Sequence, residues 1–241
     1  FEMKVIEDLY HKLKKLFNMP EKDPYIVEKE KQSKFISEKS MNSFNTERNI
    51  FFIEKLEAAN DDKPTMILGD PESGRSSSAT SVYDYYKHKE GYATIFFSSQ
   101  ATRLSKSVDQ MLRYLIFQVL VQDEEEISSQ ILRGDISTLK LYFVMVLERY
   151  SKKLLTRGLK LVLIIDGLDS LVDAMGYSIS VADWLPQRMP SNVLLVLTSD
   201  KNSDVTNWVY GWFADHTYTL LTEDIWLSMN EKDMLQKILK L

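Results

Sequence analysis

The chain has 241 residues, 44% of them hydrophobic, which is enough to bury one substantial core plus a small appended unit and excludes an intrinsically disordered protein. Its 35 acidic and 30 basic residues are interspersed and leave a net charge of −5, so no basic stripe suggests a nucleic-acid partner, and no apolar stretch approaches the roughly 20 residues that span a membrane. With no cysteine there is neither disulfide nor thiol chemistry, which fits a cytoplasmic setting, and the scattered histidines His11, His88 and His216 lack metal-ligand spacing.

The start, Phe1-Glu2-Met3-Lys4, has no charged head followed by an apolar signal core and reads as an internal segment of a longer protein. Val5, Leu9, Leu13 and Leu16 stand among lysines and give residues 3–17 one apolar helical face. A proline-containing break covers 18–23, and 25–43, rich in charge and poor in large apolar groups, is either an exposed helix or a loosely held linker. Asn45 or Thr46 then caps a helix whose apolar face is Ile50, Phe52, Ile53 and Leu56, and Asn60-Asp61-Asp62-Lys63-Pro64 breaks it.

The first strand, Thr65-Met66-Ile67-Leu68, runs straight into Gly69-Asp70-Pro71-Glu72-Ser73-Gly74-Arg75-Ser76. This is the phosphate-cradling pattern GxxxxGK(S/T) with arginine in place of lysine. Backbone N–H groups at such a turn, together with the positive end of the following helix dipole, bind a phosphate chain without a special side chain. Gly69, Asp70, Pro71, Glu72, Ser73, Gly74, Arg75, Ser76 and Ser77 are therefore the candidate nucleotide-binding residues, with the Ser76 hydroxyl a candidate Mg²⁺ ligand.

Ala79, Val82, Tyr83 and Tyr86 place the next segment on one helix face, where Tyr83, Tyr85 and Tyr86 are core-packing residues before they are a base-stacking platform. A second strand follows over 92–97, then a helix carrying Val108, Met111, Leu112, Leu115, Val119 and Leu120. Asp123-Glu124-Glu125-Glu126 reads as a solvated helix end. Leu139, Phe143, Val146, Leu147, Tyr150 and Leu154 form another helix, which Gly158 can stop. The continuous apolar run Leu161-Val162-Leu163-Ile164-Ile165 then ends in Asp166-Gly167-Leu168-Asp169. A strand so placed is buried on both faces; Asp166 at its carboxyl end can hold Mg²⁺ through water, and Asp169 can polarise an attacking water. Beyond it lie Trp184-Leu185-Pro186, a strand over 193–197 leading to Ser199 and Asp200, a short helix over 205–213 bearing Trp208 and Trp212, and a last strand over 216–220. Ser228 and Glu231 have capping-box spacing ahead of Met234, Leu235, Ile238 and Leu239.

Strands alternating with helices in this way predict an α/β fold: a three-layer sandwich around a mostly parallel five-stranded sheet, with an N-terminal helical segment. Ligands of such sheets sit at the carboxyl ends of the strands, where the Gly69 loop and Asp166 converge.

The segment from Ile67 to Ser77, Ser105 with Met111-Leu112-Arg113, the stretch from Leu163 to Asp169, and Trp184-Leu185-Pro186 ahead of a strand resemble a NACHT-type NTPase of the STAND class, nearest to the nephrocystin-like group. The resemblance covers roughly residues 43–221. It implies a P-loop NTPase domain over 44–222 whose sequence over 44–56 lies near the adenine, and the start of a following helical or winged-helix unit over 223–241; the helical segment or linker over 1–43, read from its own pattern, precedes it. The resemblance also implies the strand over 193–198 lying between the other two motif-bearing strands, and adjoining protein domains such as helical repeats as partners. In that family the nucleotide state controls whether a larger protein is closed or open for assembly. Should this chain form a homo-oligomer, Arg103 and Arg113 are both candidate trans-acting fingers, and the sequence does not choose between them.

Three departures bear on hydrolysis. Arg75 keeps the charge of lysine but, as a longer planar fork, loses its placement between the outer phosphates. Ser170 stands where relatives often have a second acid, leaving Asp169 as the candidate base, and Asp200 stands near the place of a basic phosphate sensor. Arg75 and Asp169 are thus the candidate catalytic pair of a nucleotide-binding switch that uses ATP or ADP with Mg²⁺ and turns over weakly or not at all. The alternatives are a competent ATPase, or a protein-interaction scaffold that has lost its nucleotide. Adenine is favoured because Ser199-Asp200-Lys201-Asn202 replaces the Asn-Lys-x-Asp pattern of a guanine pocket.

Overall fold

Four apolar strands lie side by side with both faces covered, which is why their sequences are continuous rather than alternating. The computed structural model describes residues 24–41, 46–58, 64–124, 134–173, 176–177, 184–185, 189–205 and 217–220. In chain order these form α1 (Pro24–Met41), α2 (Thr46–Ala58), β1 (Thr65–Gly69), α3 (Arg75–Lys87), β2 (Tyr92–Ser98), α4 (Val108–Gln122), α5 (Ile136–Thr156), β3 (Lys160–Asp166), β4 (Val193–Asp200) and β5 (Thr217–Leu220). The expected helices over 3–17 and beyond 228 fall outside the described residues, as does the one over 205–213 except for Val205 at its start, and with it Trp208 and Trp212.

The sheet is the expected five-stranded one, in the order β2-β3-β4-β1-β5, with every pair parallel. β4 lies between β3 and β1, as the resemblance implies. On one face Met66, Leu68, Ile95, Phe97, Leu163, Ile165, Leu195 and Leu197 pack against α4 and α5. On the other, Ile67, Phe96, Val162, Ile164 and Val196 meet Ala79, Val82 and Tyr86 of α3 and Phe52 and Leu56 of α2. Trp184 and Leu185 are buried in the first of these cores.

Of the two readings of 25–43, the helix is the one that forms, and it is held. Tyr25 stacks on Phe117 of α4 on one face of the sheet, while Phe35 packs near Phe96 on the other. Between them Gln32, 1% exposed, meets the backbone of the edge strand β2. Helix α1 is a strap over the sheet edge. Its charged residues hid this, because one buried amide and two rings suffice to dock it.

The acidic run after α4 also differs from its reading. Asp123 is buried and takes an ion pair from Lys153 at 2.6 Å, with Arg149 at 3.7 Å. The charge run therefore begins with an anchor between α4 and α5 and not at a solvated end. Tyr86 is in the core and Tyr83 sits edge-on to Phe96, so packing accounts for both rings.

Candidate functional site

The carboxyl ends of β1, β3 and β4 meet at one rim of the sheet. Register pairs Gly69 with Asp200 and Ser98 with Asp166, so the loop after β1, the β3 carboxylate and the turn after β4 are neighbours by topology alone.

After β1 the chain turns at Asp70, whose carbonyl accepts from the Ser73 N–H at 3.2 Å. Glu72 and Gly74 have positive φ, of 66° and 87°. Gly74 is the N-cap of α3, and its carbonyl takes the Ser78 N–H at 2.9 Å. A left-handed residue leading into a helix turns successive amides toward one side, the geometry of an anion-binding nest. Pro71 and Glu72 are exposed at the tip, Gly69 is buried at its root, and Ser73, Gly74, Ser76 and Ser77 are half-buried. The Ser77 carbonyl accepts the Thr80 and Ser81 hydroxyls, 3.0 and 2.9 Å away.

Asp166 lies opposite. It is 1% exposed and has three hydroxyl donors: Ser76 Oγ at 3.1 Å and Thr198 Oγ1 at 2.6 Å to Oδ1, and Ser98 Oγ at 2.8 Å to Oδ2. Burial nevertheless pushes its carboxyl above the ordinary range, against the pull of Thr198, Ser98, Ser76 and the Arg75 charge. A divalent cation would supply the counter-charge that burial withholds. Ser76 and Asp166 are hard oxygen donors that fit Mg²⁺, and they are the residues that would hold it. Among the described residues no group of three carboxylates or imidazoles converges, so such an ion would draw its other ligands from water and phosphate.

Asp169 sits in the short turn Leu168–Ser170. Gly167 starts that turn at φ 81°; its N–H donates to Thr198 Oγ1 at 2.9 Å and its carbonyl accepts Ser99 Oγ at 2.6 Å. Asp169 Oδ1 accepts Arg75 Nη1 at 3.1 Å and the Asp200 backbone N–H at 2.9 Å. Arg75, 9% exposed, is thus turned to the β3 side of the mouth. The Asp200 carboxylate accepts the Asn202 N–H at 2.8 Å within its own turn. The next residue, Lys201, brings a cation to the loop: its Nζ is 2.6 Å from Asp70 and its N–H donates to the Gly69 carbonyl at 3.2 Å.

Sequence reasoning brought Arg75, Ser76, Asp166 and Asp169 to one rim, and the structure has them within hydrogen-bond reach in pairs. It missed Ser98, Thr198 and Lys201. Each strand flanking β3 carries a hydroxyl near its carboxyl end, Ser98 closing β2 and Thr198 two residues before the end of β4, which is a readable signal once the strand order is known. Lys201 was obscured by Asp200 before it. Of the two arginines considered as trans-acting groups, Arg103 is exposed, whereas Arg113 donates to the Gly134 carbonyl at 2.8 Å and pairs with Asp109.

A parallel sheet with a glycine-bounded loop between β1 and α3, facing a buried carboxylate at the end of β3, defines a P-loop nucleotide-binding module of the ATPase type. The sequence model of the family described as Nephrocystin 3, N-terminal, matches residues 45–199, and the chain belongs to that family. No curated protein matches it significantly. Among solved structures it is similar to Cdc6p from Pyrobaculum aerophilum, with TM-score 0.44 and 14% identity over 73% of this chain and 46% of that one. It is also similar to the Walker-type ATPase PABY2304 of Pyrococcus abyssi, with TM-score 0.40 and 13% identity over 73% of this chain and 49% of that one. The chain spans less than half the length of either. No helix among the described residues is long and apolar enough to cross a membrane.

Proposed function

We propose that the chain is an Mg²⁺-dependent ATP- or ADP-binding regulatory module of a larger cytoplasmic signalling or scaffold protein, with hydrolysis weak or absent. On this reading residues 44–222 carry the nucleotide, 1–43 precede it, and 223–241 open the following helical unit. The loop amides between Gly69 and Ser77 take the phosphate chain, and Ser76 with Asp166 holds the cation, which neutralises charge on the outer phosphates when bound.

The observation that carries the hydrolysis reading is the pairing of Asp169. A carboxylate that orients water must present a free lone pair toward the attacking position. Here Oδ1 takes a guanidinium and a backbone amide, which fix the orientation of the carboxylate and leave Oδ2 as the oxygen that can meet a water. The same pair holds Arg75, the residue at the lysine position, away from the phosphates. That contact supports slow turnover, while loop occupancy rests on the backbone amides.

Calorimetric titration with ATP and ADP, with and without Mg²⁺, tests the binding, and phosphate release tests the turnover. The expected result is Mg²⁺-strengthened binding with turnover below about 10⁻² s⁻¹, the range of nucleotide switches lacking a trans-acting arginine. Arg75→Lys, with a compact ammonium, raises turnover. No binding at millimolar nucleotide would leave the scaffold reading. Fast turnover abolished by Asp169→Asn would establish a competent ATPase.

A further inference from the structure

The edge strand β2 ends beside Asp166, and the outward backbone groups of its last residue, Ser98, are closed by a side chain from outside the family match. Gln32 of α1 accepts the Ser98 N–H through Oε1 at 2.8 Å and donates Nε2 to the Ser98 carbonyl at 3.0 Å. A primary amide offers a donor and an acceptor side by side, so one residue takes the place of the neighbouring strand that an edge lacks. Gln32 is itself fixed: Nε2 also donates to Glu28 Oε1 at 2.9 Å, and Glu28 accepts the Ser105 hydroxyl at 2.6 Å. The residue whose backbone is clamped in this way then donates its hydroxyl to Asp166 Oδ2 at 2.8 Å. The line Glu28, Gln32, Ser98, Asp166, Ser76 is an unbroken set of hydrogen bonds from α1 to the loop.

We propose that Gln32 is a positioning residue for the Mg²⁺ site, acting through Ser98 to orient Asp166, so that the docking of α1 sets the metal dependence of nucleotide binding. The proposal rests on the nucleotide reading above and names the element that regulates it. Groups that orient a metal-binding carboxylate are typically worth 10–100-fold in metal affinity. The relay predicts a loss confined to the metal-dependent part of binding, because the loop amides that take the phosphates are not in it.

The test measures ATP affinity of the full chain with and without Mg²⁺ in wild type, Gln32→Ala, Ser98→Ala, the double variant and Ser40→Ala. Ser40 lies on the same helix and donates to Asp84 of α3 at 2.5 Å, away from the relay. The expected result is that Gln32→Ala and Ser98→Ala each cut the Mg²⁺ enhancement about tenfold and leave metal-free affinity within about twofold. The double variant loses no more than either alone, as residues in one network do. Hydrogen exchange of the Ser98 amide without metal quickens in Gln32→Ala and not in Ser40→Ala. An unchanged Mg²⁺ enhancement in Gln32→Ala, or an equal loss in Ser40→Ala, overturns the proposal while the nucleotide reading stands. A wild-type chain that binds no ATP overturns both.

Discussion

Asp166 shows folding and binding pulling on one carboxylate. Because burial raises its affinity for a proton, the folded chain takes up a proton between the ordinary carboxylate range and the raised value. Stability conferred at this residue is therefore present at low pH and lost as pH rises through that window, the reverse of a salt-bridged aspartate. At neutral pH the ionised group is a net cost without a cation. Asp166→Asn keeps the shape and removes the charge, so the nucleotide-free chain should melt higher, by roughly 2–4 °C for each kcal/mol relieved. The same variant should lose the Mg²⁺ enhancement of ATP binding; scanning calorimetry and titration read the two effects separately, and a lower melting temperature would show that the hydroxyl bonds outweigh burial. Gly167 beside it is needed for a different reason. Its φ of 81° is a left-handed conformation, and a Cβ there would collide with the Ser99 hydroxyl. Gly167→Ala should cost about 2 kcal/mol, measured by denaturant unfolding.

At the scale of elements, the strands were legible because burial on both faces writes itself as an uninterrupted apolar run, and the loop because glycine spacing is a backbone requirement. α1 was not legible. Its sequence shows charge, and the docking face Tyr25, Glu28, Gln32 and Phe35 keeps helical spacing but alternates rings with polar groups, so it leaves no apolar stripe to read. Asp123 was misread for a related reason, since its partners Lys153 and Arg149 lie on α5 and only tertiary packing brings them to it. The packing contribution of α1 can be weighed directly. Phe35→Ala should cost about 3 kcal/mol by the usual scale for a buried ring, with helix loss visible in far-ultraviolet dichroism. α2 is held by Phe52 and Leu56 in the core and by a polar contact at its end. Lys89 lies over the rings of Tyr85, Tyr86 and Tyr92, 5.0, 5.6 and 5.2 Å from their centroids, and pairs with Glu57 at the end of α2. The Lys89 and Tyr85 hydrogen bonds hold the Glu57 carboxyl below its usual range, so its contribution is present at neutral pH and lost in acid. The pair is exposed, and Glu57→Gln should change unfolding free energy by less than about 0.5 kcal/mol.

For the molecule as a whole, the family match and the structural unit do not begin at the same place. The match starts at residue 45, whereas the structure carries a helix over Pro24–Met41 that spans both faces of the sheet from outside that boundary. Deleting it would uncover Phe96 and Phe117 and open the backbone of β2 at Ser98, baring that end of the sheet edge while Gln122 of α4 still covers Thr94. Exposed edges of this kind template pairing with other chains. A fragment of residues 45–241 should therefore melt lower than the full chain and elute at a concentration-dependent larger size, while Lys or Glu substitutions along β2 would suppress the association without restoring the melting temperature. Ligand binding adds a second readout, because a nucleotide at 100 times its dissociation constant stabilises the folded state by about 2.7 kcal/mol. If α1 serves only to cover apolar surface, the fragment gains as much from Mg²⁺-ATP as the full chain does. If it also orders the carboxylate, the fragment gains from ATP without metal and little more when Mg²⁺ is added, a difference that thermal shifts recorded with and without chelator resolve.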